Sequence, residues 1–417
     1  MGTTTIAGYL MDLVRGETVS IDSCVNPQRE LGGDLITRIS KIVENKETRN
    51  EAQSMVIDSM NEMIEDLCNK AGIENEEIYE ISLCGNTGMH HLFLGIYPEY
   101  VSLSPYPAGR QGSFYIKARE LGIDINRSGY VYCFPVNAGW VGGDNIAVML
   151  TTEIYEKPET SLVIDIGTNG EVAIGNEEKC YVCSTAAGPA LEGGNIKSGM
   201  RAAPGAIETV KIDPKDLEPT IQTIDSAEPR GICGSGIIDI VAEMYRSGIL
   251  RSDGRFKEQL KNNKRIRKNE KGIKEYVLVS GEDIPSGSEI VITQKDVREI
   301  QKAKGAIQAG ARVLMDKLNT EDVDRVFLAG AFGNKIDKIS ALRIGLFPDC
   351  ELDKVEGIGN AAGSGSQIAL INKEKRREAE KIPEIVEYVE IAGTEKFRQE
   401  YMDAMYIPHR DQDLYEK

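Results

Sequence analysis

An aspartate and a glycine–threonine turn interrupt two apolar runs in the middle of the chain. Residues 161–174 read Ser-Leu-Val-Ile-Asp-Ile-Gly-Thr-Asn-Gly-Glu-Val-Ala-Ile. This pattern predicts a strand, a tight polar turn and a returning strand. The turn groups the Asp165 carboxylate, the Thr168 hydroxyl and backbone N–H groups that Gly167 and Gly170 leave uncovered. A concavity of this kind suits a phosphate chain with its Mg²⁺.

A second stretch of similar design stands at residues 1–10, which read Met-Gly-Thr-Thr-Thr-Ile-Ala-Gly-Tyr-Leu. Here too a glycine–threonine turn is followed by an apolar strand. Taken alone, an Asp-x-Gly-Thr turn is better explained as an ordinary hairpin turn. Its recurrence favours the interpretation that the chain contains one phosphate-binding device twice.

Other elements also recur, so the second half repeats the order of the first. The string Leu83-Cys-Gly85-Asn-Thr-Gly is matched by Leu328-Ala-Gly330-Ala-Phe-Gly, and each predicts a strand, a glycine turn and a helix start. The second half is longer, which predicts an insertion. We therefore predict a first domain at residues 1–152, a second at 153–345 with an insertion at about 186–290, and C-terminal helices and a strand at 346–417 that complete a cleft.

Composition narrows the class of protein. The chain has 417 residues, 41% hydrophobic residues and a formal net charge of −17, which argues against nucleic acid or an anionic membrane as the main partner. We see no signal peptide and no apolar run near the roughly 20 residues that span a bilayer, and expect a cytoplasmic protein. The eight cysteines suggest buried reduced thiols, and the Cys180–Cys183 pair lacks the further ligands of a metal site.

Three further patterns have ordinary structural interpretations. The basic stretch from Lys257 to Lys274 is typical of a solvated loop, although it could dock an acidic partner. A GxGxxA pattern at Gly357 meets the dinucleotide fingerprint, but the segment before it is too charged for a buried parallel strand. The adjacent His90 and His91 point in different directions on a helix, so we interpret them as packing or surface residues.

The duplicated glycine–threonine turns, a Gly-Gly-Asp connection and a late Ala-Gly-Ala-Phe-Gly-Asn turn together resemble the acetate and sugar kinase, heat-shock ATPase and actin (ASKHA) superfamily. The resemblance implies an α/β fold of two ribonuclease-H-like domains with a nucleotide cleft between them. It implies four ATP-binding segments: the first phosphate loop at Gly2, Thr3, Thr4 and Thr5; the second at Asp165, Gly167, Thr168, Asn169 and Gly170; the connection at Gly142, Gly143 and Asp144; and the adenosine loop at Gly330, Ala331, Phe332, Gly333 and Asn334.

Six strings narrow the match, and they occur in this order: Asn26-Pro-Gln-Arg29, Gly85-Asn-Thr-Gly-Met-His-His91, Ser184-Thr-Ala-Ala-Gly-Pro-Ala-Leu-Glu192, Gly231-Ile-Cys-Gly-Ser-Gly236, Thr293-Gln-Lys-Asp-Val-Arg-Glu299 and Phe327-Leu-Ala-Gly-Ala-Phe-Gly-Asn334. Together they resemble the C-terminal ATPase region of the reductive activators of corrinoid proteins. The resemblance extends from the first residue to about Pro408.

This family resemblance implies an ATPase that drives reduction of an inactive Co(II) corrinoid to Co(I) in a corrinoid protein of a methyltransferase system. It implies ATP and Mg²⁺ as cofactors, Asp165 as the residue that orients a Mg²⁺-bound water, Asp144 as the one that positions the attacking water, and a homodimer. The family's [2Fe-2S] domain and an aspartate two positions before Gly2 would precede residue 1. We therefore expect this chain alone to be redox-inactive, with Asp165 as its one phosphate-loop carboxylate.

Three alternatives on the same fold stay open. A small-molecule kinase would need a polar acceptor pocket near the γ-phosphate. An activator of 2-hydroxyacyl-CoA dehydratases would need solvent-facing cysteines for a [4Fe-4S] cluster, for which only Cys180, Cys183 and Cys233 are candidates. A nucleotide-dependent scaffold would bind without turnover.

Overall fold

The computed structural model describes residues 1–260, 263–284, 287–330 and 333–415. Its strands are β1 (Thr5–Asp12), β2 (Glu17–Val25), β3 (Glu80–Leu83), β4 (Phe114–Lys117), β5 (Tyr130–Cys133), β6 (Ser161–Ile166), β7 (Gly170–Gly175), β8 (Cys180–Thr185), β9 (Ala206–Ile212), β10 (Pro219–Thr223), β11 (Gly231–Ile232), β12 (Ile266–Lys268), β13 (Lys274–Val279), β14 (Ile290–Thr293), β15 (Arg325–Ala329), β16 (Val355–Gly359) and β17 (Val386–Tyr388).

The helices are α1 (Leu35–Glu44), α2 (Lys46–Ala71), α3 (Thr87–Leu94), α4 (Ala118–Leu121), α5 (Gly143–Thr152), α6 (Gly234–Arg246), α7 (Gln294–Leu318), α8 (Lys338–Ile344), α9 (Ala361–Ile371), α10 (Lys373–Ala379), α11 (Ile382–Ile385) and α12 (Glu395–Ala404). They form two compact units with the strands. The first unit comprises Met1–Pro158, Asn176–Val182 and Asn360–Tyr388, and the second comprises Glu159–Gly175, Cys183–Gly359 and Val389–Lys417.

The first unit is built on an antiparallel hairpin of β1 and β2 and on a sheet of order β3-β5-β4. The hairpin packs on α2, whose buried side chains include Val56, Met60, Met63 and Leu67. Both methionines therefore belong to the core of the first unit. The packing at β1 is close: a methyl group at Gly8 would lie only 2.7 Å from Met63 Sδ, so the Met63 side chain would have to shift.

The second unit contains β16, β15, β6 and β7 side by side in that order. β15 pairs in parallel with β6 and β16, and β6 pairs antiparallel with β7 as predicted. The segment before Gly357 was expected to be too charged for a buried parallel strand, yet its last residues, Val355 and Glu356, begin the parallel strand β16. As β16 lies at the edge of this group, Glu356 remains exposed, and an edge strand tolerates such a charge.

The predicted insertion adds two small sheets, of order β10-β9-β11 and β12-β13-β14. The prediction of a solvated loop for the basic stretch is wrong where β12 and β13 form. Arg265 bonds Glu218 at 2.6 Å, and Lys274 bonds Glu258 at 2.7 Å. Lys261 of this stretch lies outside the described residues. Four basic side chains of this stretch, those of Lys264, Arg265, Arg267 and Lys274, therefore pair with carboxylates of their own unit.

The C-terminal segment is anchored to α7 by a buried lysine. Lys304 is 1% exposed, and its Nζ donates hydrogen bonds to the Pro408 carbonyl at 2.6 Å and to the Tyr406 carbonyl. Burial lowers the pKa of this ammonium group well below its usual value. The helix α12, predicted in this tail together with β17, packs on the same helix α7.

The two adjacent histidines are packing residues, as predicted. His91 accepts a hydrogen bond from the Gly109 N–H, whereas neither ring nitrogen of His90 has a described partner. Burial and the neighbouring His91 lower the pKa of His90 to about 4. His90 is therefore neutral in the folded protein over most of the mildly acidic range.

We expect His90 to make folding stability fall in mild acid. The unfolded chain binds a proton at this residue below about pH 6.5, whereas the folded chain binds it only near pH 4. Stability contributed by the neutral ring is thus complete above pH 6.5 and is lost as the pH falls toward 4, by up to about 3 kcal/mol. Urea unfolding of wild type and His90→Leu at several pH values between 6.5 and 4 measures this effect: the free energy of unfolding should fall more steeply with decreasing pH in the wild type. Equal slopes would contradict it.

The cysteines and helices agree with two further observations from the sequence. All eight cysteines are free thiols, and six of them are buried, Cys84, Cys180 and Cys183 included. Burial raises the pKa of Cys180 to about 12, so this thiol is unreactive at neutral pH. None of the helices built from the described residues combines the length and apolar character that crossing a bilayer requires.

Candidate functional site

In the first unit, the loop before β1 turns its carbonyl groups inward. The Asn26 side chain donates to the Gly2 carbonyl at 2.9 Å, and the Arg38 guanidinium donates to the Thr3 carbonyl at 2.5 Å. The Asn26 backbone N–H donates to the Thr4 carbonyl at 2.9 Å. Three successive carbonyl groups are thus fixed by residues distant in sequence.

The N–H groups of this loop consequently face the other way. In a trans peptide the C=O and N–H bonds point in opposite directions, and the Thr3 and Thr4 N–H groups donate to no residue that the structure describes. The Gly2 N–H closes the turn on the Thr5 carbonyl at 2.9 Å. Successive unpaired N–H groups of this kind form an anion-binding concavity, so the predicted phosphate loop fits a phosphate.

Residues 84–86, which follow β3, link this loop to the predicted connection. The Asn86 side chain donates to Thr3 Oγ1 at 2.8 Å, and the Asp144 N–H donates to the Gly85 carbonyl at 3.3 Å. A methyl group at Gly142 would lie 2.4 Å from the Asn86 Cα, so only glycine permits this approach. The structure therefore brings Gly2–Thr5, Gly142, Gly143 and Asp144 together within the first unit.

Asp144 lies in the first turn of α5, whose N-cap is Gly142. Its carboxylate accepts a hydrogen bond from the Asn145 N–H at 2.9 Å. Burial raises the pKa of this carboxyl above its ordinary value. A carboxylate with a raised pKa at this position is suited to accept a proton from water.

In the second unit, Asp165 lies on β6 and is paired with Glu171 on β7 and Ala329 on β15. The turn after it, residues 167–169, donates no backbone N–H to any part of the chain that the structure describes. Thr168 Oγ1 donates to Glu192 Oε2 at 3.0 Å. The turn thus presents a carboxylate, a hydroxyl and several N–H groups, as predicted for a phosphate loop.

The predicted adenosine loop begins directly beside this turn. Gly330 has φ +106°, and a methyl group on it would lie 2.5 Å from the Ile166 carbonyl and 3.3 Å from Asp165 Oδ1. A methyl group at Gly357 would meet the Gly333 carbonyl at 2.6 Å. Asn334 is exposed, and Ala331 and Phe332 lie outside the described residues. Glycine at position 330 thus allows the chain to pass close to the end of β6.

Four residues of these sites were not assigned from the sequence: Asn26, Arg38, Asn86 and Glu192. Asn26, Asn86 and Glu192 stand within the strings that carry the family resemblance, which was a usable signal. Arg38 stands within α1 as an ordinary helical arginine, and only the structure shows that it is buried under the first loop.

Metal-ligating side chains gather at one other place among the described residues, Glu153, Glu156 and Glu378. The Lys375 ammonium lies 2.7 Å from Glu153 and 2.8 Å from Glu378. This lysine places one positive charge among the three carboxylates. The arrangement is an ion-pair network of the first unit.

Two family models match the chain. Residues 159–417 match the C-terminal domain of RACo, described as the ASKHA domain, and residues 1–157 match the RACo middle region. The chain belongs to the RACo family. This confirms the recognition made from the six strings and the α/β, actin-like (ASKHA) fold class. The predicted domain boundaries and the individual site residues remain predictions.

Two curated proteins with sequences similar to this chain are named for their action on corrinoid proteins. The chain is 38% identical over 409 residues to the corrinoid activation enzyme RamQ of Eubacterium limosum, covering 96% of this chain and 68% of that protein. It is 31% identical over 288 residues to a Co(II) methylated amine-specific corrinoid protein reductase of Methanosarcina barkeri, covering 63% of this chain and 48% of the reductase.

A solved structure titled reductive activator for corrinoid, iron-sulfur protein matches all of this chain, with a TM-score of 0.92 and 38% identity. The chain spans 66% of that structure's length. The RACo relatives are thus named as activators or reductases of corrinoid proteins, and this chain corresponds to about two thirds of two of them and about half of the third.

Proposed function

We propose that this chain binds ATP with Mg²⁺ and uses the nucleotide to drive reductive activation of a corrinoid protein. The observation that carries the proposal is the pair of loops at residues 2–5 and 167–169, in which the N–H groups of Thr3, Thr4 and residues 167–169 have no acceptor among the described residues. Membership of the RACo family supports the corrinoid protein as partner. A homodimer is part of the proposal on the same family ground.

The proposal assigns roles to the main predicted residues as follows. Thr3, Thr4 and Thr168 bind phosphate oxygens together with the loop N–H groups. Asp165 orients a water molecule bound to Mg²⁺, because carboxylates and water are the ligands that Mg²⁺ prefers. Asp144, with its raised pKa, positions the attacking water. Residues 330–334 flank the base.

ATP can be coupled to cobalt reduction through the affinity of the activator for its partner. Reduction of Co(II) to Co(I) takes one electron from a donor, and ATP does not supply that electron. Nucleotide binding and hydrolysis change the affinity of the activator for the corrinoid protein, so free energy from ATP shifts the corrinoid toward a reducible state. The proposal assigns nucleotide and partner binding to this chain and electron delivery to another carrier.

The alternatives are less well supported. The candidate cysteines Cys180, Cys183 and Cys233 are all buried, which does not favour a cluster shared between subunits as in activators of 2-hydroxyacyl-CoA dehydratases. A small-molecule kinase would show ATP turnover that a sugar or an organic acid stimulates. A scaffold would bind ATP without releasing phosphate.

ATP-dependent co-elution with a Co(II) corrinoid protein tests the proposal. We expect the purified chain to co-elute with that protein on gel filtration with Mg²⁺ and ATP, and to change its affinity with ADP, because only a nucleotide-dependent affinity can transmit free energy. The control is the same partner without its corrinoid. Phosphate release stimulated by a sugar and not by the corrinoid protein would contradict the proposal.

A further inference from the structure

Arg38 is a buried cation without a partner anion. Its side chain is 0% exposed, and its guanidinium donates to the carbonyls of Gly32 and Thr3 at 2.8 and 2.5 Å. The third contact is the Met89 thioether at 3.7 Å. No carboxylate forms an ion pair with it in the ranges that the structure describes. Burial lowers its pKa to about 10, so the group remains charged at neutral pH.

A charge in this position is costly. Removing a cation from water is strongly unfavourable unless an anion or several hydrogen bonds replace the lost hydration. The hydrogen-bond acceptors around Arg38 are neutral. Asp34, at the start of the same helix, attracts the guanidinium electrostatically but forms no ion pair with it and caps the Thr37 N–H at 2.9 Å. An anion that enters this region without its own protein cation would therefore gain from the uncompensated charge.

The hydrogen bonds of Arg38 lead directly to the phosphate loop. The carbonyl that accepts from Nη2 is that of Thr3, and the same peptide group carries the Thr4 N–H, which has no acceptor among the described residues. A cation bonded to the carbonyl withdraws electron density along the peptide and strengthens the N–H as a donor. The positive charge also acts directly, because the surrounding core has a low dielectric constant.

We propose that Arg38 is the buried counter-charge of a phosphate group bound at the Gly2–Thr5 loop. It is a positioning residue that acts through the Thr3–Thr4 peptide and does not touch the ligand. Its role is specificity: the loop favours nucleotides with a polyphosphate chain over the nucleoside. This inference rests on the proposed ATP site and adds the residue that makes the first loop select for negative charge.

A purely structural role gives a different expectation. If Arg38 only ties the Gly32 and Thr3 carbonyls together, charge is irrelevant, and Arg38→Lys and Arg38→Gln should impair binding equally. Both replacements keep one hydrogen-bond donor, but only lysine keeps the charge. Lys41→Gln is the matched control, because it removes one exposed positive charge from the same helix α1.

The experiment compares dissociation constants for Mg·ATP and for adenosine by calorimetry, with thermal unfolding as a check of folding. For Arg38→Gln we expect ATP binding weakened about tenfold to a hundredfold, as for a lost charged hydrogen bond, and adenosine binding changed less than about twofold. Arg38→Lys and Lys41→Gln should keep most of the wild-type preference for ATP. Equal losses in the lysine and glutamine variants, or an unchanged preference in Arg38→Gln, would overturn the inference.

Met89→Glu provides a second test if Arg38→Gln does not fold. Met89 contacts the guanidinium, so a carboxylate there pairs with Arg38 internally and competes with the bound phosphate. We expect weaker ATP binding with adenosine binding retained, and an unchanged ratio would again overturn the inference. Wild-type protein that binds no Mg·ATP at all would instead refute the proposed function, so the two failures are distinguishable.

Discussion

Replacing Asp165 by asparagine is expected to abolish ATP turnover by this chain. Asp165 lies at the end of β6, beside the phosphate turn and next to Gly330, and it is the carboxylate assigned to the water of the magnesium ion. Asparagine keeps the shape and removes the charge, and Mg²⁺ binds a neutral amide oxygen far more weakly than a carboxylate. We expect phosphate release to fall at least about a hundredfold, as on loss of a main electrostatic contribution.

The control is Asp283→Asn, which removes the same charge from an exposed position of the second unit. It should leave phosphate release unchanged. Binding of nucleotide without Mg²⁺ is measured in parallel, because the asparagine variant should retain most of it if only the metal is lost. Turnover equal to wild type in Asp165→Asn would refute the assignment of the second loop.

Gly142→Ala should markedly lower the folding stability of the first unit. The added carbon would lie 2.4 Å from the Asn86 Cα, 2.5 Å from the Gly85 carbonyl and 2.5 Å from the Thr87 N. All three are backbone atoms, so relief requires a shift of the chain. Overpacking of this kind typically costs about 1–3 kcal/mol, and we expect the upper part of that range in urea unfolding.

The same substitution should weaken ATP binding, because displacement of Asn86 breaks its 2.8 Å hydrogen bond to Thr3 Oγ1 in the phosphate loop. Gly33→Ala is the matched control: no atom lies within 4 Å of its added carbon, and a surface change of this kind stays within about 0.5 kcal/mol. Equal unfolding midpoints for the two variants would contradict the packing argument.

The sequence was sufficient to predict the two glycine–threonine turns and their flanking strands, because their glycines, threonines and apolar runs are local signals. The partners that orient the first loop could not be predicted. Asn26 and Arg38 act on carbonyls that lie 24 and 35 positions away in sequence. Residue type alone does not indicate these contacts; an arginine in an amphipathic helix, for example, ordinarily faces solvent.

The two wrong predictions have a common physical cause. Charge was taken as a sign against a buried parallel strand before Gly357 and as a sign of a solvated loop in the basic stretch, yet strands form in both places. In β16 the edge position leaves Glu356 exposed, and in β12 Arg267 is bonded to Glu275 at 3.1 Å. Whether a charge has water or a partner within reach depends on neighbouring strands, which local composition does not reveal.

The inward carbonyls of the Gly2–Thr5 loop also bear on the order of folding. This loop has no preference of its own for the observed conformation beyond one turn bond, since its orientation depends on Asn86, 83 positions from Thr3, and on Arg38. Contacts of such sequence separation form late, because loop-closure entropy must be overcome first. We therefore expect this loop to bind phosphate only after β3 and α1 have packed in the first unit. Nucleotide would then bind the folded unit and would not assist its folding.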